Sequence, residues 1–142
     1  DGGKYTIRER AALDATGQTP DIILIFAGYN DFGGFTASAI GAECAATITT
    51  IRAVSATIPI IIGGIWPQGE TAPSATILAA EAAIKAAVVA ENDANTVFVP
   101  ISSAPTPWNF EVGTDGGHPS PAGHDTIAAF AAAGIINALP GT

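Results

Sequence analysis

The chain has 142 residues, with 5 Lys and Arg against 13 Asp and Glu and a net charge of −8 at pH 7. That length fits a single domain over residues 1–142 with one substantial core, and 48% hydrophobic against 13% charged residues excludes a disordered chain. The acidic balance, without any polybasic run, excludes a nucleic-acid or anionic-membrane surface, and no apolar run is long enough to span a bilayer.

One cysteine, Cys44, leaves no internal disulfide. No Cys/His cluster has metal-ligand spacing. The chain begins at Asp1 without Met and carries no signal peptide, which suits a processed product or a piece of a longer chain. The low lysine content and the Ala, Thr and Gly richness are compatible with a secreted or periplasmic protein.

In chain order, residues 1–5 read as a loop. Residues 6–16 have helical spacing, with Ile7, Ala11 and Ala12 on one side and Gly17 as the end. Residues 21–27, Asp-Ile-Ile-Leu-Ile-Phe-Ala, are β-branched and apolar on both faces, as in a central parallel strand covered on both sides. The loop Gly28-Tyr29-Asn30-Asp31-Phe32-Gly33-Gly34-Phe35 follows. Residues 36–56 are helical, with Ile40, Cys44, Ile48 and Ile51 on one stripe. Residues 58–65 form a second strand, 66–73 a loop from Trp66, and 74–91 an alanine-rich helix with Ile77, Ile84 and Val88 inward. Residues 96–100 form a third strand, and 101–118 a longer loop containing Trp108 and Phe110. The last helix runs over 121–138, with Ile127, Phe130, Ala131, Ile135 and Leu139 as its buried face.

Strands alternating with helices imply a parallel sheet with helices on both faces, a flavodoxin-like three-layer α/β/α sandwich. Ligands of such sheets bind beyond the carboxyl ends of the strands. The Asn30 loop, the Trp66 loop and the 101–118 loop all emerge there, so Asn30 should meet the end of the last loop in space.

That end is Asp115-Gly116-Gly117-His118-Pro119-Ser120-Pro121-Ala122-Gly123-His124, which holds both histidines of the chain. A histidine acting as general base needs a partner that fixes its tautomer and stabilises the imidazolium. Asp115 lies three residues ahead of His118, and the two glycines let the backbone bend. Ser120 reads as a helix N-cap with Pro121 at the first helical position.

Gly28-x-Asn30-Asp31 after a hydrophobic strand, together with Asp115-x-x-His118-Pro119 near the C-terminus, resembles the SGNH (GDSL-type) hydrolase family over essentially the whole chain. The resemblance implies that His118 is the general base, Asp115 its orienting carboxylate and Asn30 a side-chain donor to the oxyanion. A second donor would be the backbone N–H of Gly3, with Gly2 as a rival. It also implies a serine nucleophile in a Gly-Asp-Ser block, which this sequence lacks. The family's first strand, and that serine, are therefore expected upstream of Asp1, on an N-terminal segment that would partner this chain. Ser38, Ser55, Ser74, Ser102, Ser103 and Ser120 lack the context of a nucleophile. The implied activity is hydrolysis of a small acyl or acetyl ester, carbohydrate esters included, with a small ester as substrate partner and no metal or organic cofactor needed.

Other features have blander readings. Trp66 and Trp108 could line a substrate pocket or anchor loops over the core. Cys44 reads as core, His124 as structural packing and Asp31 as a loop-bonding residue, while Glu70 and Glu111 read as solvated loop carboxylates. A non-catalytic carbohydrate-binding or interaction module on the same fold is the alternative function. A nucleotide-binding flavodoxin-like domain ranks last, because no phosphate-cradling glycine loop follows a first strand.

Overall fold

A computed structural model describes residues 7–17, 20–67 and 72–138. The elements are α1 (Ile7–Gly17), β1 (Ile23–Ile25), α2 (Ala37–Val54), β2 (Ile60–Gly63), α3 (Ala75–Glu91), β3 (Thr96–Val99) and α4 (Pro121–Ala138). The strands form one parallel sheet in the order β1-β2-β3, with Ile23 opposite Ile60 and Ile60 opposite Thr96.

Alternation along β2 builds the layers. Ile60 and Ile62 face a core completed by Ile48 and Ile51 of α2 and by Ile77, Ala80, Ile84 and Val88 of α3. Ile61 points to the other face, where it joins Val99, Ile101 and Trp108, with Phe130, Ala131 and Ile135 of α4 packed against them. All four residues of β2 are buried, as a run of Ile-Ile-Ile-Gly covered on both faces requires. The stripes expected on α2 and α3 are therefore the observed contact faces, and the helices on the two sides of the sheet make the α/β sandwich.

Local chemistry ends the helices where the sequence suggests. The Thr36 hydroxyl accepts from Ala39 N at 3.2 Å and the Ser74 hydroxyl from Ile77 N at 3.2 Å, so each caps its helix. Asn92 closes α3 in the left-handed region at φ 48°, a conformation asparagine tolerates better than most residues. At the amino edge of the sheet, Arg52 ties three segments together. Its Nε pairs with Asp93 Oδ2 at 2.5 Å, Nη1 donates to Ile58 O at 2.8 Å and Nη2 to Thr96 Oγ1 at 2.9 Å.

Two expectations change. The strand expected over 21–27 at the centre of the sheet is the short β1, and among the described residues it pairs on one side only, with β2. Ile23 and Ile25 pack on the core, whereas Leu24 on the opposite face is 50% exposed, because α4, the helix on that side, packs on β3. Apolarity on both faces marked β1 as a strand that can be covered twice; the described chain covers one face. In α1, Ala11 packs on the core but Ile7 is 42% exposed. The Ala12 side chain and Leu139 lie outside what is described.

Truncation of a residue at the α2–sheet contact should register as global stability. Ile51 is fully buried, so Ile51→Ala is expected to cost roughly 2–5 kcal/mol through lost burial and a residual cavity. Urea denaturation read by circular dichroism checks this: the midpoint falls while the m-value stays constant.

Candidate functional site

The 101–118 loop leaves β3 and returns to start α4, and its last part is a braced turn. Val112 and Pro119 form an antiparallel bridge, with Gly113 N donating to His118 O at 2.8 Å and Ser120 N to Glu111 O at 2.9 Å. Gly116 closes the turn onto Gly113 O at 3.0 Å and holds φ at 72°, where a side chain would be strained. Ser120 caps α4 as expected: its hydroxyl accepts from Gly123 N at 3.1 Å, and it donates to Glu111 Oε1 at 2.8 Å. Glu111 thus has a specific bracing partner rather than the purely solvated role expected of it.

Within this turn Asp115 and His118 meet. Asp115 Oδ1 accepts from the backbone N–H groups of Gly117 at 3.1 Å and His118 at 3.0 Å, while Oδ2 lies 2.6 Å from His118 Nδ1. Both carboxylate oxygens are thereby fixed, one by the backbone and one by the ring. These two N–H bonds, with the imidazole contact next, pull the Asp115 carboxyl down to about 2. With Nδ1 against a carboxylate, the ring proton belongs on Nδ1 and the neutral ring presents Nε2 as a proton acceptor. The His118 side chain is 89% exposed, so Nε2 is open to a reactant.

Asn30 is placed by β1. Gly28 turns the chain at φ 98°, and its carbonyl accepts from Asp31 N at 3.0 Å and Phe32 N at 3.2 Å. Asn30 sits exposed on this turn. The Asp31 main-chain carbonyl accepts from Gly34 N at 3.0 Å and Phe35 N at 2.9 Å, contacts that do not depend on its side chain. The structure brings Asp115 and His118 into contact. Asn30 it places on the same carboxyl edge, but on the loop of a different strand: β1 and β3 are separated by β2, roughly 10 Å apart at two strand spacings. Gly3 and Glu70 lie outside the described residues.

The tryptophans divide. Trp108 is 5% exposed and stacks on Phe130 with centroids 5.7 Å apart, so it is a core residue rather than an open pocket wall. Trp66 is partly buried between Phe26, Trp108 and Phe110, at centroid distances of 5.9, 5.3 and 6.1 Å. A cavity of about 570 Å³ lies elsewhere, beside β1, with Ile25, Ala27, Gly28, Ile40, Cys44 and Ile62 in its lining. Cys44 is partly buried there, and burial, with Glu91 adding to it, pushes its thiol up to about 11. His124, expected to pack, is exposed at the first turn of α4. Among the described residues, no group of three His, Cys, Asp or Glu side chains could hold a metal ion, and no helix is long and apolar enough to cross a membrane.

Of the six serines, five have their hydroxyls engaged away from His118. Ser55 accepts from Ile58 N, Ser74 and Ser120 cap helices, Ser102 donates to Ile65 O and Ser103 donates to Glu81. Ser38 is exposed near the start of α2. The residue that reasoning from sequence passed over is Glu81. It is fully buried, on the α3 stripe between Ile77 and Ile84, at the carboxyl edge of the sheet. Its position on that apolar stripe was the available signal.

The model of the GDSL-like lipase/acylhydrolase family matches residues 2–126. No curated protein sequence matches the chain. Among solved structures, the fold is similar to the Clostridium thermocellum family 3 carbohydrate esterase, with a TM-score of 0.71 and 23% identity over 94% of this chain and 66% of that one. An acetyl esterase mutant crystallised with acetate ion has a TM-score of 0.71 and 24% identity over 94% of this chain and 67% of that one. A salicylyl-acyltransferase from a tetracycline biosynthetic pathway has a TM-score of 0.70 and 16% identity over 92% of this chain and 41% of its own. The chain thus spans about two fifths to two thirds of these structures, and the likeness establishes a common fold.

The Asp115 contacts set a titration. Its folded value, about 2, lies below the ordinary 3.8. The turn therefore gains stability that is fully present above 3.8 and is lost as pH falls through about 2. Carbon-detected NMR of the Asp115 carboxyl should give a midpoint near 2. His118→Ala should raise that midpoint only part of the way to 3.8, because the two backbone donors remain.

Proposed function

The chain belongs to the GDSL-like lipase/acylhydrolase family, and from that premise we propose that it hydrolyses small acyl or acetyl esters through an acyl-enzyme. The observation that carries this reading is the 2.6 Å contact of His118 Nδ1 with Asp115 Oδ2, on a ring whose other nitrogen is open. The acetyl esterase and carbohydrate esterase among the similar structures support acetylated carbohydrates as the substrate class.

In this mechanism a serine hydroxyl attacks the ester carbonyl while His118 Nε2 takes its proton. Asp115 holds the Nδ1–H tautomer and stabilises the imidazolium that results. The carbonyl oxygen becomes an oxyanion, which the Asn30 side-chain amide and the backbone N–H of Gly3 bind; one such donor contributes roughly 3 kcal/mol to the transition state. His118 then gives its proton to the leaving alcohol. Water, deprotonated by the same nitrogen, attacks the acyl-enzyme and releases the acid and the serine.

The serine is assigned to a segment outside these residues. Two features support this: the engagement of five serine hydroxyls elsewhere, and the open side of β1. Beside that strand lie the half-exposed Leu24 and the largely apolar cavity that reaches Gly28. An added parallel strand here would end next to the Asn30 loop. A second reading, a non-catalytic carbohydrate-binding or interaction module on the same fold, draws on the same lack of a serine beside His118.

The two readings part on the full-length natural protein. The esterase reading expects hydrolysis of p-nitrophenyl acetate and a single fluorophosphonate label on an upstream serine. In that protein His118→Ala lowers kcat by ~10⁴–10⁶-fold and Asn30→Ala by ~10²–10³-fold. A full-length chain that neither labels nor hydrolyses the ester sinks the enzyme and leaves the binding module.

A further inference from the structure

The carboxylate of Glu81 occupies the point where β2 and β3 leave the sheet. Oε2 accepts from Ile65 N at 3.0 Å and Ser102 N at 2.9 Å. Oε1 accepts from Ile101 N at 3.3 Å, Ser103 N at 2.8 Å and the Ser103 hydroxyl. Every contact comes from a donor, so both oxygens act only as acceptors. The last rung of the parallel ladder is Gly63 opposite Val99, followed by Gly64 N to Val99 O at 2.9 Å. Beyond it the strands separate, and Glu81 takes over as the common acceptor for both exits.

The space for this carboxylate is built into the sequence. A Cβ on Gly64 would lie 2.2 Å from Glu81 Oε2, so the backbone approaches as only glycine permits. The Ser102 hydroxyl adds a direct tie between the loops, donating to Ile65 O at 2.6 Å. Burying a carboxylate in a helix stripe is unfavourable unless its acceptors are filled. Here it meets four backbone N–H groups and a hydroxyl, and a core-filling residue would leave the buried three, of Ile65, Ile101 and Ser102, without partners.

From this knot, contacts run to both halves of the proposed site. Ile65 precedes Trp66, whose ring meets Phe26, two residues ahead of Gly28 and the Asn30 turn. Toward the other side, Ile101 O accepts from Trp108 N at 3.2 Å, and the rings of Trp108 and Phe110 both meet Trp66. Phe110 leads into the Glu111–Gly113 arm that braces His118. We propose that Glu81 is a positioning residue for ester hydrolysis: its buried carboxylate sets the spacing between the Asn30 loop and the Asp115–His118 turn. This rests on the esterase reading for the reaction but not for the geometry.

The test uses the full-length protein with Glu81→Gln, which keeps the shape but turns an amide NH2 toward backbone donors, and Ile51→Val as a remote core control. Two readouts are taken. In kinetics on p-nitrophenyl acetate, Glu81→Gln should lower kcat at least tenfold with KM within about threefold, while Ile51→Val leaves kcat within about twofold. In NMR, the amides of Ile65, Ile101, Ser102 and Ser103 should lose exchange protection, and the His118 ring and Asn30 side-chain resonances should shift in Glu81→Gln but not in Ile51→Val. Unmoved His118 and Asn30 resonances, or a kcat no lower than that of Ile51→Val, overturn the proposal. If Glu81→Gln does not fold, Ser102→Ala, which removes only the tie to Ile65 O, decides: the same resonances shift, or the proposal fails. A wild-type protein that hydrolyses no ester refutes the esterase reading alone, since the NMR comparison still reports the spacing.

Discussion

Four backbone N–H groups converge on one buried carboxylate where two parallel strands leave the sheet, and the carboxyl edge of the molecule depends on it. Parallel strands share hydrogen bonds only while they run side by side; once the loops diverge, their N–H groups need another acceptor. Those of the buried Ile65, Ile101 and Ser102, left unpaired, would each cost about 1–3 kcal/mol. Glu81 removes that cost for both loops at once, and it does so from α3, so helix, strands and loops are locked in one arrangement. Arg52 does the complementary work at the amino edge, where it donates to a carbonyl and a hydroxyl and pairs with Asp93. The sheet is therefore pinned at both ends by one side chain of each sign.

The Asp115–His118 pair is built on a different principle. It is exposed, and its order comes from short-range covalent and hydrogen-bond constraint rather than from burial. Gly116 at positive φ and two backbone donors fix the carboxylate, and the carboxylate fixes the ring. The antiparallel bridge behind it and the Ser120 cap anchor the turn to α4. An imidazole held this way is presented to solvent without the desolvation that would accompany burial.

Much of this was legible in the residues. The 3.6-residue stripes of α2 and α3 named their buried faces, because a helix covering a sheet buries a fixed angular sector. Ser120-Pro121 marked the start of α4, because capping is local chemistry. Asp115 and His118 could be paired from spacing, because a three-residue reach through two glycines is also local. Glu81 escaped notice for the opposite reason. Its partners are 16 to 22 residues away, and a charged residue on an apolar stripe looks like an interruption until the N–H groups that fill it are seen. For Trp108 the residues left two readings open, a pocket wall or an anchor over the core, and α4, returning over the sheet, decides for the second by burying it against Phe130. The run at β1 announced a strand with two apolar faces, yet how many of those faces are covered depends on where α4 lies.

By itself the sequence determined the α/β alternation, the helix faces and caps, and the Asp115–His118 turn, all governed by interactions within a few residues of chain. Only the tertiary structure decided the strand order β1-β2-β3, the pairing of β1 on one side only among the described residues, the division of the two tryptophans and the acceptor role of Glu81. These depend on which surfaces meet after long stretches of chain have folded back, and no local pattern of residues encodes such a meeting.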